Sequence, residues 1–112
     1  MPTNFYDYVL TIAHDPGKNP QQKLQEICAQ IMEYTYVALE SDKEELIREN
    51  TNDEILCVIR EQEEKPTQCF ILDAKNRRSA DLTLMNDNYL SIQDRLLSPM
   101  SVEGLLEFYA PR

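Results

Sequence analysis

The apolar period changes twice along this chain, and the changes divide it into helical ends and an extended middle. Over residues 4–14 two templates compete: alternation collects Tyr6, Tyr8, Leu10 and Ile12, whereas helical spacing collects Phe5, Tyr8, Val9 and Ile12. Thr3 as a cap, Asp7 early, His14 late and Pro16 beyond the end favour a helix. Asp15-Pro-Gly-Lys-Asn19 then reads as a turn. Helical periodicity is clearest over residues 20–38. Asn19 can cap a helix that starts at Pro20, Gln22 completes a capping box, and Leu24, Ile27, Cys28, Ile31, Tyr34 and Ala38 recur on one face. The stripe ends at the acidic stretch Glu40-Ser-Asp-Lys-Glu-Glu45, too short for a coiled coil. Ser41 with Glu44 repeats the capping box, which predicts a break near Ser41 and a restarted helix through Leu46 and Ile47.

In the middle the period shortens. Glu54-Ile-Leu-Cys-Val-Ile-Arg60 and Gln68-Cys-Phe-Ile-Leu-Asp73 are compact apolar runs, the first rich in β-branched residues, and the polar stretch between them contains Pro66. They read as two strands of a hairpin, with Lys75-Asn-Arg-Arg-Ser79 as the next turn and Asp81-Leu-Thr-Leu-Met85 as a third strand. A rival reading makes residues 52–64 a helix, because Thr51 with Glu54 also fits a capping box. After Asn86-Asp-Asn88 the pattern predicts a helix over residues 89–97 and another over 102–109, with Pro99 at the break and Ser101 as cap. The expected fold class is therefore α+β: one domain over residues 1–112, with N- and C-terminal helices packed on a short antiparallel sheet from the middle of the chain.

Composition adds a location to this picture. The 112 residues carry 20 acidic and 11 basic side chains, a net charge of −9. The excess is local: residues 26–64 hold twelve acids and three bases, and the flanking segments are each neutral. Such a balance argues against a general nucleic-acid binder, which needs a basic footprint to displace counterions from phosphates. The first residues lack a signal peptide's basic and apolar regions, and no apolar run is long enough for a membrane span, so the expected location is the cytoplasm. Cys28, Cys57 and Cys69 sit in apolar runs without a CxxC pair, which suits reduced core thiols better than a disulfide framework or a zinc site.

The candidate chemistry is sparse. His14 beside Asp15 could serve as a base with its orienting carboxylate, but Asp15 precedes Pro16, where a carboxylate commonly starts a turn. Neither Asn50-Thr-Asn-Asp-Glu54 nor Asn86-Asp-Asn88 fits a calcium loop, and two glycines, Gly17 and Gly104, are too few for a phosphate cradle. No cofactor and no dedicated metal site is expected, although clustered carboxylates can bind calcium or magnesium weakly at a surface. Lys75-Asn-Arg-Arg78 could grip an anion, but at a hairpin turn it reads more simply as a solubilising tip. Six tyrosines and four methionines fit an interaction surface and a homodimer. Tyr34 and Tyr36 cannot share one narrow helix face, so one ring is expected outside the core.

These readings converge on a non-enzymatic interaction module, such as an adaptor, inhibitor or dedicated chaperone, docking a basic protein partner. The candidate contact residues are Glu33, Tyr36, Glu40, Asp42, Glu44, Glu45 and Glu49, expected as an acidic helical surface. Two alternatives stay open: a nucleic-acid mimic whose carboxylates imitate a phosphate array, and a small enzyme or divalent-cation binder using clustered carboxylates. The acidic surface could equally confer solubility alone, but that needs net charge anywhere, not nine excess charges in one segment.

Overall fold

The computed structural model describes residues 4–33, 37–41, 44–48, 55–63, 65–86 and 88–109; for residues 33, 37–41 and 44–48 the backbone alone is described. Helix α1 spans Phe5–Ala13 and α2 spans Pro20–Glu33. Six strands come next, β1 Val37–Ser41, β2 Glu44–Arg48, β3 Ile55–Gln62, β4 Lys65–Asp73, β5 Arg78–Met85 and β6 Tyr89–Leu96, before α3, Pro99–Phe108, closes the described chain. Consecutive strands pair antiparallel in the order β1 to β6, so the sheet is a simple meander. The α+β class, with helices at both ends of a central sheet, is as expected.

Residues 4–14 fold as the helix. Its cap is Asn4 and not Thr3: the Asn4 Oδ1 accepts from the Asp7 amide at 2.9 Å, while its Nδ2 donates to Asp73 at 3.1 Å. Helix α2 starts as its capping box predicts, with the Gln22 amide donating to Asn19 Oδ1 at 2.8 Å and the Asn19 amide to Gln22 Oε1 at 3.2 Å.

Four expected elements are corrected. The helical stripe ends at Glu33, so Ala38 falls in β1, and the restarted helix through Leu46 and Ile47 is strand β2. The reason lies partly in β3, whose Ile55, Leu56, Cys57, Val58 and Ile59 are all buried. A strand apolar on both faces is a central strand and needs a ladder on each side. Strand β2 supplies the second ladder, with Leu46 opposite Val58 and Ile47 opposite Cys57. The rival helix over residues 52–64 is excluded by β3 itself. Residues 89–96 form β6 instead of a helix: Asn86 turns the chain with φ 54°, and buried Leu90 and half-buried Ile92 alternate with Ser91 and Gln93 across β5. Helix α3 begins a turn earlier than expected. Ser98 caps it, accepting from the Ser101 amide at 3.1 Å, and Pro99 occupies the first turn instead of marking a break.

The sheet separates two packed faces. On one, Ile55, Cys57, Ile59, Cys69, Ile71, Ala80 and Leu82 meet Tyr6, Val9 and Ile12 of α1 and Leu24, Ile27 and Ile31 of α2 in the main core. On the other, Leu56, Val58 and Leu72 are also buried, and Tyr109, just past α3, stacks on Phe70 with ring centres 6.3 Å apart.

Candidate functional site

The acidic residues singled out above do not form one helical row. Glu33 ends α2, Glu40 lies in β1, and Glu44 and Glu45 open β2. The ladder sets Glu40 opposite Glu45 and Ser41 opposite Glu44, at the sheet edge farthest from β6. Tyr36, Asp42 and Glu49 lie outside the described residues, as does Tyr34. The expected acidic helical surface is thus, where described, a helix end and an edge hairpin. Strand β2 is fixed there because its apolar positions pair with β3, which brings the Glu44 and Glu45 backbone alongside Arg60 and Ile59.

One carboxylate outside this segment is matched to several donors. Asp73, at the end of β4, is completely buried. Its Oδ1 accepts from the Asn76 amide at 3.2 Å, and its Oδ2 accepts from Asn76 Nδ2 at 2.9 Å, Asn4 Nδ2 at 3.1 Å and Arg78 Nε at 3.1 Å. The same Arg78 places Nη1 2.9 Å from Asp7 Oδ1 and lies over the Tyr6 ring, 4.3 Å from its centre. Burial works against the Arg78 charge, but hydrogen bonds to Asp7 and Asp73 hold its pKa above the ordinary value. Burial also pushes the Tyr6 phenol up to about 12, with Asp94 adding to the rise and Arg78 opposing it. The phenol stays neutral at pH 7 and is no base.

This network joins the start of α1 to the β4–β5 turn, and it corrects the solubilising-tip reading of Lys75-Asn-Arg-Arg78. Only Ala74 to Arg77 form the turn, with Arg77 at φ 52°. Arg78 opens β5 and is committed to two carboxylates. A signal is present in the sequence: an Asp at the start of a turn can bond the backbone that follows it, as Asp73 does with the Asn76 amide. The partners Asn4 and Asp7 are about seventy positions away and cannot be read from it.

A second polar chain crosses the far face of the sheet. Arg60 Nη1 donates to Gln68 Oε1 at 2.9 Å, and Gln68 Nε2 donates to Asp81 Oδ1 at 2.7 Å. Beside it, Phe70, Ser79, Asp81 and Gln93 help line a cavity of about 110 Å³. That is well below the roughly 300–1,000 Å³ of ordinary small-molecule sites. A larger open groove, about 590 Å³, runs between the end of β6 and α3, lined by Leu96, Ser101, Leu105 and Phe108 among others.

The remaining candidates are placed separately. His14 is the exposed C-cap of α1, and Asp15 is used locally, its Oδ1 accepting from the Gly17 amide at 2.9 Å. Lys18 is paired with Glu26. All three cysteines are buried and reduced. The Cys69 thiol is raised well above the usual thiol range by its hydrogen bond to Cys28 and by burial, so it stays protonated at neutral pH. Among the described residues no cluster of three or more His, Cys, Asp or Glu is placed to hold a metal, and no helix is long and apolar enough to cross a membrane. No family model, no curated protein and no solved structure matches the chain.

Proposed function

We propose that this chain is a non-enzymatic protein-interaction module, an adaptor, inhibitor or dedicated chaperone of the cytoplasm, that docks a basic protein partner through the acidic segment 26–64. The observation that carries the reading is the confinement of the entire net charge of −9 to those residues. The β1–β2 register supports it, because it opposes two glutamates, Glu40 and Glu45, at a sheet edge. Directly opposed like charges destabilise a ladder by a few tenths to about 1 kcal/mol, a cost that an opposing basic surface would reverse. Glu33 and Glu44 extend the same segment, and Tyr36, Asp42 and Glu49 complete the proposed contact set.

Affinity capture from the native cell across a salt series tests the reading. The expected result is a basic protein held at low salt, released as exposed charges are screened, and not displaced by duplex DNA or RNA. Capture that persists at high salt would contradict the electrostatic reading. Displacement by duplex nucleic acid would make the chain a nucleic-acid mimic instead.

A further inference from the structure

The sheet has two edges, and the one distant from the acidic hairpin is chemically different. Strand β6 closes the order β1 to β6, and among the described residues no strand lies on its outer side. Its outer backbone N–H and C=O groups therefore offer a template for another extended strand. Leu96 is 84% exposed and Tyr89 61% exposed on this strand. Over its eight residues, Tyr-Leu-Ser-Ile-Gln-Asp-Arg-Leu, the charge is zero, since Asp94 and Arg95 offset each other.

We infer that β6 is a self-association edge, pairing antiparallel with β6 of a second copy of this chain about a two-fold axis at Gln93. The register comes from charge and face. Directly opposed residues of an antiparallel pair share a face, so the axis must pass through a residue position. An axis at Asp94 opposes two aspartates, and one at Arg95 opposes two arginines. An axis at Ile92 leaves Leu96 without a partner in the strand, as does one at Ser91. The Gln93 axis opposes no like charges and pairs both leucines: Ser91 faces Arg95, Ile92 faces Asp94, and Leu90 faces Leu96 twice. The most exposed leucine of the strand then packs on the leucine that already reaches the core. A second copy is favoured over a strongly charged partner here because the edge is neutral, so two copies of this acidic chain can meet along it without setting their excess charges against each other.

Cysteine trapping tests the register on the full chain. Opposed Cα atoms lie roughly 4.5–5.5 Å apart in an antiparallel ladder, within the roughly 4.4–6.8 Å that a disulfide spans. With glutathione disulfide as oxidant, Gln93→Cys is expected to convert mostly to a covalent dimer, glutathione leaving as the thiol. Ser91→Cys, facing Arg95, is expected to stay monomeric, as is the unmodified chain, whose Cys28, Cys57 and Cys69 are buried. Failure of Gln93→Cys to crosslink with an unchanged circular dichroism spectrum, or equal crosslinking of Ser91→Cys, overturns the inference. Sedimentation of the unmodified chain provides a check that needs no variant: the expected result is a concentration-dependent dimer, which Leu96→Lys then weakens at least tenfold, about 1.4 kcal/mol. A monomer at every concentration overturns the proposal.

Discussion

Carboxylates do opposite things in two regions of this protein. At the β4–β5 turn, Asp73 is sealed from solvent and surrounded by donors from Asn4, Asn76 and Arg78. At the β1–β2 edge, Glu40 and Glu45 are set directly opposite each other. The first arrangement couples the start of α1 to the sheet; the second sets two acidic positions opposite each other in a ladder, where like charges are unfavourable. The placement of each carboxylate in the fold, and not the net charge alone, therefore separates Asp73, which holds the fold, from the edge positions that the proposed partner would contact.

The contrast makes opposite predictions for the same kind of substitution. Asp73→Ala removes the buried member of an ion pair and leaves Asn4, Asn76 and the Arg78 Nε without their shared acceptor, although Arg78 keeps Asp7. It should lower stability by about 3–5 kcal/mol, measured by urea unfolding. A change no larger than that of an exposed substitution would mean the network does not tie α1 to the sheet. Tyr6 gives the next largest effect, through pH. Its phenol is raised from 10 in the unfolded chain to about 12 in the fold. Below pH 10 both states are protonated and no stability is lost. Above it the unfolded state ionises first, so stability falls as pH rises from 10 towards 12, by roughly 2–3 kcal/mol at about 1.4 kcal/mol per unit. Tyr6→Phe should abolish this component in alkaline unfolding curves, and an identical pH dependence in the variant would contradict the buried-phenol assignment.

At the acidic edge the sign should reverse. Glu45→Gln relieves the opposition to Glu40 and should raise stability by a few tenths of a kcal/mol at low ionic strength, with the gain fading as salt rises. A loss of stability instead would show that Glu45 already has a cation beside it, and the contrast between the two regions would collapse.

How far the sequence reveals these regions depends on how local each signal is. The α2 capping box is contained in four residues, Asn19 to Gln22, and is legible because both hydrogen bonds form within them. The runs at β3 and β4 are legible because their apolar positions are continuous and bounded by polar turns. Residues 37–48 mislead because Ser41 with Glu44 imitates a cap and Ala38 continues a helical stripe. What decides that segment is the ladder requirement of a doubly buried β3, a property of the sheet and not of the segment. Strand β6 misleads for a related reason: the alternation of Leu90 and Ile92 spans too few positions to outweigh helical spacing until β5 is beside it. Counting locates the acidic segment but does not assign it to an edge hairpin. The Asp73 network combines both cases, its bond to the Asn76 amide being local and its links to α1 long-range.

Whether the acidic edge is a recognition surface is most directly tested by comparing capture of the basic partner by the unmodified chain and by Glu40→Gln/Glu44→Gln/Glu45→Gln at low salt. The expected result is a folded, equally or more stable triple variant that loses most of its partner and whose residual binding depends less on salt. Undiminished capture by that variant, with the same salt dependence, would contradict a recognition role for this edge.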